Sequence, residues 1–89
     1  MTQDKVYEIR DVTDDDMFYQ VALFFDKTEA EKCINEIDPE SCQAYHDDDA
    51  DFELVEFEVG LHHGRYNVLT RVSYKKIYDE DDEYQWELQ

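Results

Sequence analysis

The chain has 89 residues, with 25 acidic against 8 basic side chains and a net charge of −17 at neutral pH. That length allows one domain, residues 1–89, with a single small core that buries about two-thirds of the unfolded surface. The charge argues against direct contact with nucleic acid or an anionic membrane, whose phosphates would repel it, and for a basic partner.

Hydrophobic residues make up 42% and aromatics 15%, enough apolar area to fold despite the charge. No stretch approaches the roughly 20 apolar residues that span a bilayer, and residues 1–10 hold no apolar run. The expected location is the cytoplasm. Cys33 and Cys42, with no CxxC spacing, read as free thiols.

Residues 5–12 read as a first strand, with Val6 and Val12 on one face and Tyr7 and Ile9 on the other. Asp14, Asp15 and Asp16 follow Thr13 as the turn of a hairpin. Residues 17–25 form a second strand. Met17, Tyr19, Val21, Leu23 and Phe25 fall on one face, and Phe18, Ala22 and Phe24 on the other. Apolar residues on both faces predict an interior strand.

Asp26 stands three residues before Glu29, the spacing of a helix-capping box. Ala30, Cys33, Ile34 and Ile37 then recur at i, i+3, i+4 and i+7, one stripe facing a sheet. Asp38-Pro39 stops the helix, because the residue before proline avoids the α region. Residues 40–50 read as a loop containing Asp47, Asp48 and Asp49. Residues 51–59 read as a strand with Val55, Phe57 and Val59 inward and Glu56 and Glu58 outward.

Residues 59–78 hold no acid but carry Arg65, Arg71, Lys75 and Lys76. Their second part, from Tyr66 to Tyr78, predicts a long central strand with Tyr66, Val68, Val72 and Tyr74 on one face. The acidic segments 51–58 and 79–87 would pair with it on either side. Facing Tyr78 with Tyr84 sets Lys75 opposite Glu87, and facing Val68 with Val59 sets Arg71 opposite Glu56. Such cross-strand pairs contribute roughly 0.2–1 kcal/mol each and hold register. Asp79, Glu80, Asp81, Asp82 and Glu83 form the next turn, and Tyr84, Trp86 and Leu88 alternate in a last strand.

The expected class is therefore α+β. The order is β-β-α-β-β-β, a mostly antiparallel sheet of about five strands with one helix on one face. Phe57, Val68, Val72, Val21, Leu23, Ile34 and Trp86 are expected to share the core.

No catalytic arrangement emerges. The two glycines build neither a nucleophile elbow nor a phosphate cradle. Asp47, Asp49, Asp51 and Glu58 match positions 1, 3, 5 and 12 of a calcium loop, but Phe52 replaces the glycine required at position 6. His62 and His63, with His46 or Cys42, fit no zinc spacing. No cofactor or metal is expected, and no enzyme activity.

The acids themselves are the candidate partner-binding residues: Asp14 to Asp16, Asp47 to Asp49, Asp51, Glu56, Glu58 and Asp79 to Glu83. Carboxylates at i and i+2 of an exposed strand stand about 6.7 Å apart, the scale of the phosphate step in nucleic acid. The stretch from Phe24 to Lys32 resembles the strand-to-helix step of many small phage and bacterial proteins. In size, acidity, aromatic content and compact α+β design the chain resembles phage-encoded DNA-mimic inhibitors. These include anti-CRISPR and anti-restriction proteins and inhibitors of nucleoid proteins. The resemblance implies a non-enzymatic inhibitor of a basic, nucleic-acid-binding host protein such as a CRISPR effector. Its working surface would lie away from Arg71 and Lys75. Two other readings remain: an interaction module that uses exposed aromatics and a β edge, its acidity serving solubility, and a calcium-loaded accessory domain.

Self-repulsion among the carboxylates predicts that salt assists folding. Tm should rise between low and moderate NaCl; a flat or falling Tm would mean that attractive pairs to Arg71, Lys75 and Lys76 dominate.

Overall fold

The computed structural model describes residues 5–14, 16–42, 47–58 and 66–89. The elements run β1 (Lys5–Asp11), β2 (Tyr19–Phe24), α1 (Lys27–Asn35), a 3-10 turn (Pro39–Ser41), β3 (Asp49–Glu58), β4 (Asn67–Tyr78) and β5 (Tyr84–Leu88). The strands form one sheet in the order β2-β1-β3-β4-β5, every neighbouring pair antiparallel. The fold is α+β.

The helix begins where Asp26, in extended conformation, accepts a 2.9 Å hydrogen bond from the Thr28 amide. That bond satisfies one of the orphan donors of the first turn. Asp38 repeats the device, accepting from the Glu40 amide to start the 3-10 turn, with Pro39 in its first position. Of the expected stripe, Ala30 and Ile34 are fully buried and Cys33 packs at the margin; the helix ends at Asn35, short of the expected stop at Asp38-Pro39, so Ile37 reaches the margin from beyond it. Burial raises both cysteine pKa values, keeping these free thiols protonated.

Ala30 and Ile34 share their cluster with Tyr7 and Ile9 of β1 and Ala50, Phe52 and Leu54 of β3. Register explains the set. Ile9 stands opposite Leu54 and Asp11 opposite Phe52, so these side chains occupy one face, here the core face. Val72, Tyr74 and Trp86 pack against its margin, and the Tyr74 and Phe52 rings meet edge to face with centroids 6.2 Å apart.

Two bulges overturn the simple alternation. Ile9 pairs with Ala22 but Arg10 with Gln20, so Val21 is the extra residue of β2. Leu54 pairs with Thr70 but Val55 with Val68, so Leu69 is the extra residue of β4. An extra residue switches faces for everything beyond it. Val68 therefore lies on the second face while Val72 lies on the core face. Val68 and Leu23 are each 49% exposed and Val21 is 36% exposed, so none of the three joins the expected core. Phe57, opposite Val6, also lies on the second face and is only half-buried.

Strand β2 is an edge, not an interior strand; Ala22 and Phe24 pack against the core while Tyr19, Val21 and Leu23 are exposed. Strand β4 is interior and flanked by acidic β3 and β5, as its basic character predicts, but the sheet's centre is β3. Lys75 does face Glu87. Arg71 faces Glu53 rather than Glu56, because Val68 meets Val55 instead of Val59 and the bulge shifts the ladder once more. The expected turn over residues 60–64, with His62 and His63, lies outside the described residues, as do Asp15 and His46.

Phe52→Ala should cost about 3–5 kcal/mol through loss of a fully buried ring, and Leu23→Ala under about 1 kcal/mol. Urea denaturation of both variants checks the face assignment; comparable losses would place Leu23 in the core.

Candidate nucleic-acid-mimicking surface

Strand direction sorts the acids between the two ends of the sheet. β1 runs into Asp14 and Asp16, β3 starts from Asp47, Asp48 and Asp49, and β4 turns into β5 through Asp79 to Glu83. In an antiparallel sheet of this order, all three segments lie at the same end. The register staggers them. Asp49 lies three residues beyond the level of Asp11, and Tyr78 three beyond the level of Asp49. Each step is about 10 Å along the strands. The acids thus climb a slanted rim across the sheet.

Hydrogen bonds tie the steps together. Asp11 Oδ1 accepts from the Thr13 amide (3.0 Å) and hydroxyl (2.6 Å), and Thr13 Oγ1 accepts from the Asp51 amide at 3.1 Å. The Val12 amide donates to the Asp51 carbonyl. The next step is joined by the Tyr78 hydroxyl, which donates to Asp48 Oδ1 at 2.8 Å, while the Lys76 amide donates to the Asp48 carbonyl at 2.9 Å. The bond to Asp48 raises the Tyr78 pKa, holding the phenol in its donating form. Asp11 is 2% exposed and its Oδ2 has no hydrogen-bond partner, a cost accepted at the foot of the rim.

The β4–β5 turn has its own frame. Asp79 Oδ1 accepts from the amides of Asp81 (2.9 Å) and Glu83 (3.0 Å), and the Asp79 amide donates to the Glu83 carbonyl at 2.8 Å. Asp82 sits in the left-handed region at φ 62°, which aspartate tolerates better than most residues. Asp79 and Asp82 shape the turn. Glu80, Asp81 and Glu83 are exposed upon it.

The remaining candidates are elsewhere or engaged. Glu56 and Glu58 lie toward the opposite end of β3, where Lys5 reaches Glu56 at 3.4 Å and pairs in register with Glu58. Asp51 accepts from the Ser73 hydroxyl at 2.5 Å on the second face, and Asp49 faces Lys75. Asp51 and Glu58, of opposite parity on one strand, point to opposite faces and cannot close a calcium loop. Among the described residues no three His, Cys, Asp or Glu side chains group as a metal site. Among them, too, no helix is long and apolar enough to cross a membrane.

A second cluster steadies the rim from behind. Glu40 accepts from the Tyr84 hydroxyl at 2.5 Å and from the Trp86 indole at 2.6 Å. Lys76, nearly buried, lies over the Tyr84 ring at 4.5 Å and the Trp86 ring at 5.2 Å. These bonds, Tyr84 first, hold the Glu40 carboxyl below its usual range. Thr13, Tyr78 and Glu40 gave no local signal in the sequence, because each acts on a residue 30 or more positions away. No protein-family model, curated protein or solved structure matches the chain.

A carboxyl with a depressed folded pKa stabilises above its unfolded value, and that contribution is lost as pH falls through the folded one. Glu40→Gln should therefore narrow its Tm deficit against the parent as pH drops from 6 to 3. Parallel Tm curves would show that the Glu40 charge contributes nothing.

Proposed function

We propose that this protein is a non-enzymatic inhibitor that presents a nucleic-acid-like pattern of negative charge. It occupies the DNA- or RNA-binding site of a host defence protein in the cytoplasm, with a CRISPR effector as the leading target class. One observation carries the reading: three acidic segments far apart in sequence stand on one hydrogen-bonded rim. Carboxylates on a framed sheet reach a groove without the core rearranging, and the groove's Arg and Lys exchange phosphate for carboxylate while keeping charge-assisted hydrogen bonds. The basic residues of β4 do not compete, since Arg71 faces Glu53 and Lys75 lies between Asp49 and Glu87.

The second reading is an interaction module using aromatics, and one feature favours it. Arg10, bonded to Glu8, lies between the rings of Phe18 (4.2 Å) and Tyr66 (4.7 Å), both about half exposed on the second face. Salt separates the readings: binding through the rim weakens steeply with ionic strength, and aromatic docking much less.

Charge reversal belongs at Glu80 and Asp81, sparing the turn-forming Asp79 and Asp82. Against an RNA-guided effector with a fluorescent PAM-containing duplex as the displaced ligand, Glu80→Lys with Asp81→Lys should weaken inhibition by about tenfold or more. Circular dichroism serves as the folding control. Unchanged inhibition by the folded variant removes this turn from the site. An effector that binds protein and duplex together, neither weakening the other, ends the mimicry reading for that target.

A further inference from the structure

The two edges of the sheet are not equivalent. The β2 edge is interrupted by the bulge at Val21, which twists an edge out of reach of a partner strand. The β5 edge pairs with β4 in unbroken register and carries no proline and no lysine.

Two bonds bracket its hydrogen-bonding parity. At one end the Asp79 amide bonds the Glu83 carbonyl, and at the other the Gln89 amide bonds the Ser73 carbonyl. Bonded and non-bonded pairs alternate in an antiparallel ladder, so Gln85 and Glu87 also turn their backbones toward β4. The amides and carbonyls of Trp86 and Leu88 then point outward, and among the described residues no backbone group meets them. Leu88 is 60% exposed.

The side chains beside this edge are sorted by face. On the second face, Glu83, Gln85 and Glu87 border a shallow groove of about 350 Å³ with Ile77 in its lining. On the core face stand Trp86 and Leu88. A second copy is a poor occupant, because pairing two such edges sets the glutamates of one against those of the other on bodies of −17 each.

We propose that β5 is a docking edge for an extended cationic segment of another protein, added as a sixth strand. Its Lys or Arg side chains alternate with apolar ones. The cations lie along Ile77 and reach Glu83 and Glu87, while the apolar residues extend the Trp86–Leu88 surface. The inference does not rest on groove mimicry at the rim, although Glu83 belongs to both surfaces.

The probe is a heptapeptide alternating Lys and Val, with a block isomer of identical composition as control. Amide exchange is followed by NMR on the whole protein at moderate salt. The alternating peptide should slow exchange at the Trp86 and Leu88 amides by about tenfold or more, and the block peptide should not. Leu88→Pro removes an outward donor without touching the β4 ladder and should weaken the alternating peptide about three- to tenfold, one hydrogen bond's worth. Unchanged exchange at both amides, equal protection by the block isomer, or full affinity in folded Leu88→Pro would assign the binding to charge alone and overturn the proposal.

Discussion

The cross-strand meeting of β3 and β4 is the constraint on which the rest depends. β3 brings acids to a chain already repelling itself, and β4 meets them on the same second face with two bases and a hydroxyl donor: Lys75 against Asp49, Arg71 against Glu53, and Ser73 donating to Asp51 between them. Each exposed pair is worth little alone, under about 1 kcal/mol. In series they disfavour a slip, since a one-residue shift would turn the bases to the other face and set core residues Phe52 and Leu54 toward solvent. The same register delivers Tyr74 and Val72 to the margin of the core.

With the centre of the sheet neutralised locally, the excess charge collects at one end. Chain direction does this without long-range attraction. A hairpin, a helical crossover and two more hairpins place every acidic connection on one side. Like charges so gathered would spread a softer frame. Thr13 and Tyr78 oppose this across successive steps, the Thr13 hydroxyl accepting from the Asp51 amide and the Tyr78 hydroxyl donating to the Asp48 carboxylate. Glu40, held by Tyr84 and Trp86, anchors the segment after the helix to β5. Rigidity at the rim therefore comes from neutral groups, hydroxyls, an indole and backbone amides, which add no charge of their own.

The two faces divide the labour of stability. The core face receives the helix residues Ala30 and Ile34 and holds the fully buried Phe52, Ile9 and Leu54. The second face buries Val6 and Val55 and carries the Arg10 stack with Phe18 and Tyr66. In so small a domain a single core contributes only modestly, so this second, aromatic–cationic layer matters more than it would in a larger fold.

Local chemistry was legible from the sequence alone: the Asp26 cap, the helical stripe of Ala30, Cys33 and Ile34, five strands, and Lys75 opposite Glu87 across a short turn. Each depends on residues within about a dozen positions, where periodicity and turn chemistry are decisive. The acids were visible as runs, but their gathering was not, because it follows from strand order rather than from any run's composition. The tertiary structure alone decided which face Val68, Val21 and Leu23 would occupy. A bulge inserts one residue wherever two twisted strands need it, and no local pattern around Leu69 announces the change of face. It also decided that β2 is an edge and β3 the centre, since an apolar strand reads alike whether a neighbour covers it or solvent does.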